Sequence, residues 1–198
     1  MEIAFAKSFA SSLALAVIAA VWISTYGSAR KTRKYSEGRT TIVRDEGFRI
    51  FGKVIFVVSS LVTLVSFWAN SRVLLPFSES HGLRVAGMVV LMAATLLHVT
   101  SIKHLGENYS PCFDSHRPFR LVKQGPYKCI RHPIYLANIL LGAGYSLASC
   151  SLWVLAFSGY GAFKMMRALE EEESYLSKTV PGYQKYRAKT SRLIPFIY

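Results

Sequence analysis

YLANILLGAGYSLASCSLWVLAFSGYGAF, residues 135–163, carries no charge and divides the possible folds in two. Read as one helix, it is a single long span that carries the basic tail across a bilayer. Read as two, it breaks at Ser149-Cys150-Ser151 and returns the tail to the side from which it came. Each arm is then about 15 residues, roughly 22 Å at 1.5 Å per residue, against a hydrocarbon core of about 30 Å. The tail contains Lys164, Arg167, Lys178, Lys185, Arg187, Lys189 and Arg192. Lys and Arg collect on the cytoplasmic side of membrane proteins, so the sequence predicts a tight hairpin. Gly142-Ala143-Gly144 lies within its first arm, where small residues form a close-packing helix face rather than a phosphate loop.

Working outward, Leu13 to Ile23, Phe48 to Trp68 and Leu83 to His98 are also nearly free of charge. Runs of about 18 or more apolar residues read as membrane helices. The expected fold is an all-α, multi-pass integral membrane protein of about five transmembrane helices, the last two forming the short hairpin. The first three spans cover roughly Ile3–Tyr26, Phe48–Asn70 and Leu83–Ile102, with the N-terminus outside. The basic flank of the first run follows it, and no small-residue cleavage site appears, so a retained span is expected rather than a signal peptide.

A net charge of +13 would point a soluble chain towards nucleic acid. Here 20 of the 24 Lys and Arg fall in residues 26–49, residues 102–133 and the tail from Lys164, all on one side of the predicted membrane. That distribution explains the charge without nucleic acid. The Arg30-Lys31-Thr32-Arg33-Lys34 cluster suits anionic headgroups. Cys112, Cys129 and Cys150 are odd in number and irregular in spacing, which supports neither a disulfide framework nor a zinc site. His98 and His104 lie six apart, not a helical ligand spacing, and read as core or interfacial residues.

The chemistry gathers just ahead of the hairpin, at Gln124-Gly125-Pro126-Tyr127-Lys128-Cys129-Ile130-Arg131-His132-Pro133-Ile134-Tyr135. Gly125-Pro126 marks a turn, and Pro133 starts a helix with Arg131 and His132 beside its N-terminus. Unpaired N–H groups, a guanidinium and an imidazole together make an anion site, or alternatively a cationic membrane anchor. At the other end of the hairpin stand Glu170-Glu171-Glu172-Glu173, unfavourable beside anionic lipid and at a helix C-terminus unless they have a task. At 100° per residue, at most two adjacent glutamates face inward together. Tyr175, Tyr183 and Tyr186 suggest an amphipathic segment along the membrane surface. A ligand with an anionic end and hydroxyls or a positive charge matches the whole. S-adenosylmethionine is such a ligand.

The pattern Gly125-Pro126-Tyr127, Arg131-His132-Pro133-x-Tyr135, the hairpin, Arg167-x3-Glu171-Glu172, Tyr183-x2-Tyr186 and Arg192-Leu193-Ile194-Pro195 resembles the isoprenylcysteine carboxyl methyltransferase family. It is also similar to the wider membrane methyltransferase group that includes phospholipid N-methyltransferases. The resemblance covers residues 103–198; residues 1–102 form an N-terminal three-span region. It implies a cytoplasmic cofactor pocket formed by the third loop and the C-terminal segment, with a lipid or prenylated substrate entering from the bilayer. It also implies that Gln124, Gly125, Tyr127, His132, Tyr135, Glu171 and Glu172 bind S-adenosylmethionine, and that Arg131 and Glu172 are catalytic. Counting back from Tyr183 selects Glu171-Glu172 over Glu172-Glu173 as the carboxylate pair. The first expected acceptor is the carboxylate of an isoprenylcysteine-like substrate, and the second a phospholipid amine. Thr179-Val180 and Tyr175 depart from the Phe-Gly and Leu usual in the family. Alternative readings are a sterol-type reductase relative using NADPH and a non-catalytic lipid-binding membrane protein.

Overall fold

The computed structural model describes residues 40–68, 80–110, 112, 114–118 and 120–194, with scattered helical positions between 12 and 27. Helix dominates. Strand β1 (Thr41–Arg44) leads into α1 (Glu46–Trp68), followed by α2 (His81–Leu105) and a 3₁₀ turn at Gly106–Asn108. Strand β2 (Asp114–His116) and a second 3₁₀ turn (Gly125–Lys128) precede α3 (Pro133–Ser149), α4 (Leu152–Thr179) and the short α5 (Tyr183–Arg187). The bounds of the first span, the Arg30–Lys34 cluster and the connection around Pro76 lie outside the described residues.

Local chemistry accounts for the helix ends. Asp45 accepts the Phe48 N–H at 2.9 Å and so caps α1, while its other oxygen meets Lys164 Nζ of α4 at 3.1 Å. Ser80 caps α2 through the Leu83 N–H, and Pro133 opens α3. Between α3 and α4 the helix breaks where the sequence predicts. Cys150 takes a left-handed conformation with φ 51°, and Ser151 starts the return arm.

The two arms are unequal, which the sequence reading does not anticipate. Helix α3 has 17 residues and α4 has 28, so at 1.5 Å per residue α4 runs on by roughly 16 Å. The glutamates therefore sit inside a continuing helix and not at its end. The fold is also not purely helical. Thr41, Val43 and Arg44 pair antiparallel with His116, Ser115 and Asp114, with a bulge after Thr41. Pairs this short leave too little alternation to be seen in a sequence.

Polarity is arranged for a membrane. Two helices among the described residues are long and apolar enough to cross one, Glu46–Val65 at mean hydropathy 1.9 and Gly82–Asn108 at 2.0. On α2 the exposed stripe is Val85, Val89, Met92 and Leu96, whereas Thr95, His98 and Ser101 are buried. On α1, Ile50, Val54, Val57 and Leu61 are exposed while Ser59, Ser60 and Thr63 are buried. A water-soluble helix would not expose apolar stripes of this length. The buried hydroxyls return to their own helices: Thr63 to Ser59 O, Thr95 to Leu91 O and Ser101 to Leu97 O, at 2.6–2.8 Å. Helices α2 and α3 cross through small residues, with Gly87 against Ala148 and Gly144 against Leu91.

Candidate functional site

The site lies at the open end of the α3–α4 hairpin. Gly125 begins it with φ +58°, and a Cβ there would stand 2.4 Å from the His104 ring. Both the conformation and the contact require glycine. Gly125→Ala is expected to destabilise the protein by about 1–3 kcal/mol through strain and displacement of His104, read as a lower melting temperature in detergent. The 3₁₀ turn buries Tyr127, whose carbonyl accepts the Tyr186 hydroxyl at 2.7 Å. The chain then pairs with the tail: Ser191 N donates to Cys129 O, Arg131 N to Ser191 O and His132 N to Arg192 O. This pairing fixes the backbone that carries Arg131 and His132.

Those two side chains meet a carboxylate of the protein itself. Arg131 Nε lies 2.6 Å from Glu173 Oε1, and His132 Nε2 lies 3.2 Å from the same oxygen. Arg192 Nε is 3.3 Å from Oε2, and the Tyr183 hydroxyl is 3.4 Å from Oε1. Arg131 also donates to the carbonyls of Arg187 and Thr190. Burial would raise the Glu173 pKa, but the His132 and Arg131 hydrogen bonds outweigh it and hold it at about 2. The anion expected at this cationic helix start is therefore supplied internally.

Glu172, one residue earlier, accepts the Tyr135 hydroxyl at 2.8 Å and lines a cavity. Tyr127, Arg131, His132, Tyr183 and Tyr186 line it as well, with Cys112 and Ile134 on one wall. Burial, followed by neighbouring charge, raises the pKa of the Tyr127 and Tyr183 phenols well above their ordinary value. Burial and then the Glu172 charge push the Cys112 thiol up to about 12. At neutral pH these groups are protonated hydrogen-bonding partners, not nucleophiles.

Of the residues singled out in the sequence, Tyr127, Arg131, His132, Tyr135 and Glu172 converge here. Gln124 and Gly125 are exposed, shape the turn and do not line the cavity. Glu171 is exposed on the outer face of α4, which corrects the expected carboxylate pair to Glu172-Glu173. The reason is helical register. Ala168, Leu169 and Leu176 are the buried apolar positions of this part of α4. Glu172 falls four after Ala168, and Glu173 four after Leu169 and three before Leu176. That spacing was available in the sequence. Tyr183 and Tyr186, expected along a membrane surface, are instead buried with Leu176. The pairing of Arg192 with Glu173 has no local signal in the sequence.

A second cavity, an apolar groove of about 320 Å³, opens between α1, α3 and α4. Phe48, Phe51, Phe56, Leu141, Phe157 and Met165 line much of it, and Cys112 and Ile134 line it too. These last two side chains are thus the wall shared by the cavity beside Glu172 and the groove.

A family model described as phospholipid methyltransferase matches residues 83–181. The chain is 34% identical over 80 residues to the cobalt-zinc-cadmium resistance protein CzcN of Cupriavidus metallidurans, covering 38% of this chain and 35% of that protein. Its fold is similar to the solved structure of the eukaryotic intramembrane Ras methyltransferase ICMT (isoprenylcysteine carboxyl methyltransferase). The TM-score is 0.54 at 23% identity, over 73% of this chain and 52% of that one. The chain thus spans about a third of the curated relative and about half of the solved structure.

Proposed function

This chain belongs to the phospholipid methyltransferase family, and from that premise we propose that it transfers the sulfonium methyl group of S-adenosylmethionine to an acceptor held in the bilayer. The observation that carries the proposal is the shared wall: the cavity beside Glu172 and an apolar groove both take Cys112 and Ile134 into their linings. The donor takes the first and the acceptor the second, with the cavity facing the cytoplasm. The residues suit the donor. Glu172 can accept hydrogen bonds from a ribose diol or an ammonium, Tyr127 and Tyr183 offer ring faces and hydroxyls, and Arg120 faces the carboxylate. When bound, S-adenosylmethionine supplies an electrophilic methyl group.

The chain's own task is then positioning and exclusion of water. The clamp on Glu173 fixes Arg131, His132 and the start of α3. That start orients Tyr135, and Tyr135 holds Glu172. Arg131 and His132 would be the natural holders of an acceptor carboxylate, but they already bind Glu173. Glu172 is the carboxylate left on the cavity wall. This favours an amine acceptor, which must lose a proton before it can attack, over the isoprenylcysteine carboxylate. The carboxylate acceptor is the second reading, supported by Arg120 on the same cavity.

Membranes containing the protein, incubated with methyl-labelled S-adenosylmethionine, are expected to yield a labelled lipid amine. Glu172→Gln should lower the initial rate by about 100-fold or more. Label confined to base-labile methyl esters would transfer the assignment to the carboxylate acceptor. A wild-type rate in Glu172→Gln would remove Glu172 from the mechanism.

A further inference from the structure

Among the polar side chains that line the apolar groove is a buried one that the reading above leaves over. His98 lines it, is only 3% exposed, and its Nδ1 has no hydrogen-bond partner among the described residues. Its neighbours on α2 behave differently. Thr95 and Ser101 return their hydroxyls to carbonyls of their own helix, and His104 Nδ1 lies 2.8 Å from Thr100 O. A buried ring nitrogen without a partner pays the full cost of leaving water, and aliphatic residues of similar size fit an apolar groove without that cost. Asn138 and Tyr109 line the same groove beside the Cys112–Ile134 wall. Hydrogen-bonding groups are thus gathered close to where an acceptor's head would sit, while Phe157 and Leu141 line the groove deeper along α3 and α4.

We propose that His98 is a specificity-determining residue: its Nδ1–H donates to an ester carbonyl just below the acceptor's head group, so that the groove selects ester-linked lipids over ether- or thioether-linked ones. This rests on reading the groove as the acceptor site. A carbonyl oxygen is a strong acceptor, whereas an ether oxygen is weaker and a thioether sulfur weaker still.

The test compares binding of diacyl phosphatidylethanolamine and its dialkyl-ether analogue, of matched chain length, to the purified full chain in detergent. The wild type is expected to bind the diester about tenfold more tightly, the worth of one buried hydrogen bond. His98→Leu should bind both alike, at the affinity of the ether. His98→Asn, whose amide nitrogen occupies the Nδ1 position, should keep the preference. Equal binding of the two lipids by the wild type, as expected if the ring bonds only an interior water, overturns the proposal. So does a preference that survives in His98→Leu. Methylation of the same lipids is measured in parallel. A preference in binding without methylation would count against the proposed activity while leaving the role of His98 intact.

Discussion

Glu173→Ala is expected to produce the largest loss of any single substitution at this site. The carboxylate is buried and joins Arg131, His132, Arg192 and Tyr183. Its removal leaves a buried guanidinium without its counter-charge, an event that costs about 3–5 kcal/mol. The segment around Arg131 and His132 would then lose its anchor, so donor binding should fall together with the melting temperature. Glu173→Gln keeps the shape and some hydrogen bonds and should fall between alanine and wild type. Acid offers an independent check. The Glu173 carboxyl is held at about 2, below its ordinary 4.5, so its contribution to stability is complete above about pH 4.5. That contribution is lost as pH falls from there towards 2. Melting temperatures of wild type and Glu173→Gln should therefore converge over that interval. A constant difference between them would contradict the clamp.

Gly87→Val is the second large effect, and it acts far from the site. A Cβ at position 87 would stand 2.3 Å from the Ala148 backbone nitrogen and 2.8 Å from the Gly144 carbonyl oxygen. Backbone atoms within a packed helix pair cannot yield as a side chain can, so α2 must move away from α3. The expected cost is about 3 kcal/mol or more, at or above the upper end for overpacked cores. Because α2 also carries His98 and His104, lipid binding should weaken with stability. Gly52→Ala serves as the control: a Cβ there meets nothing within 4 Å, and alanine should preserve or raise the melting temperature.

The hairpin was legible because Ser149-Cys150-Ser151 interrupts an otherwise apolar run, and Cys150 does break the helix there. The site's cationic half was legible for a similar reason, since His132-Pro133 dictates a helix start whatever surrounds it. Counting from the distant Tyr183 puts the inward pair one residue early, at Glu171-Glu172 rather than Glu172-Glu173. The nearer Leu169 and Leu176 record which face of α4 is buried. Charge pairing leaves no trace in the sequence either: Glu173 is 42 residues from Arg131, and only the folded hairpin brings the two together. The β1–β2 pair joins Thr41 to His116 across two helices, which no local pattern reveals.

The central claim is that the cavity beside Glu172 binds the methyl donor. Isothermal titration of the purified protein with S-adenosylhomocysteine tests it most directly. The account predicts saturable binding at one site, weakened at least tenfold in a folded Glu172→Ala variant. Absence of saturable binding to the folded wild type, or thermal protection by NADPH in its place, would contradict it.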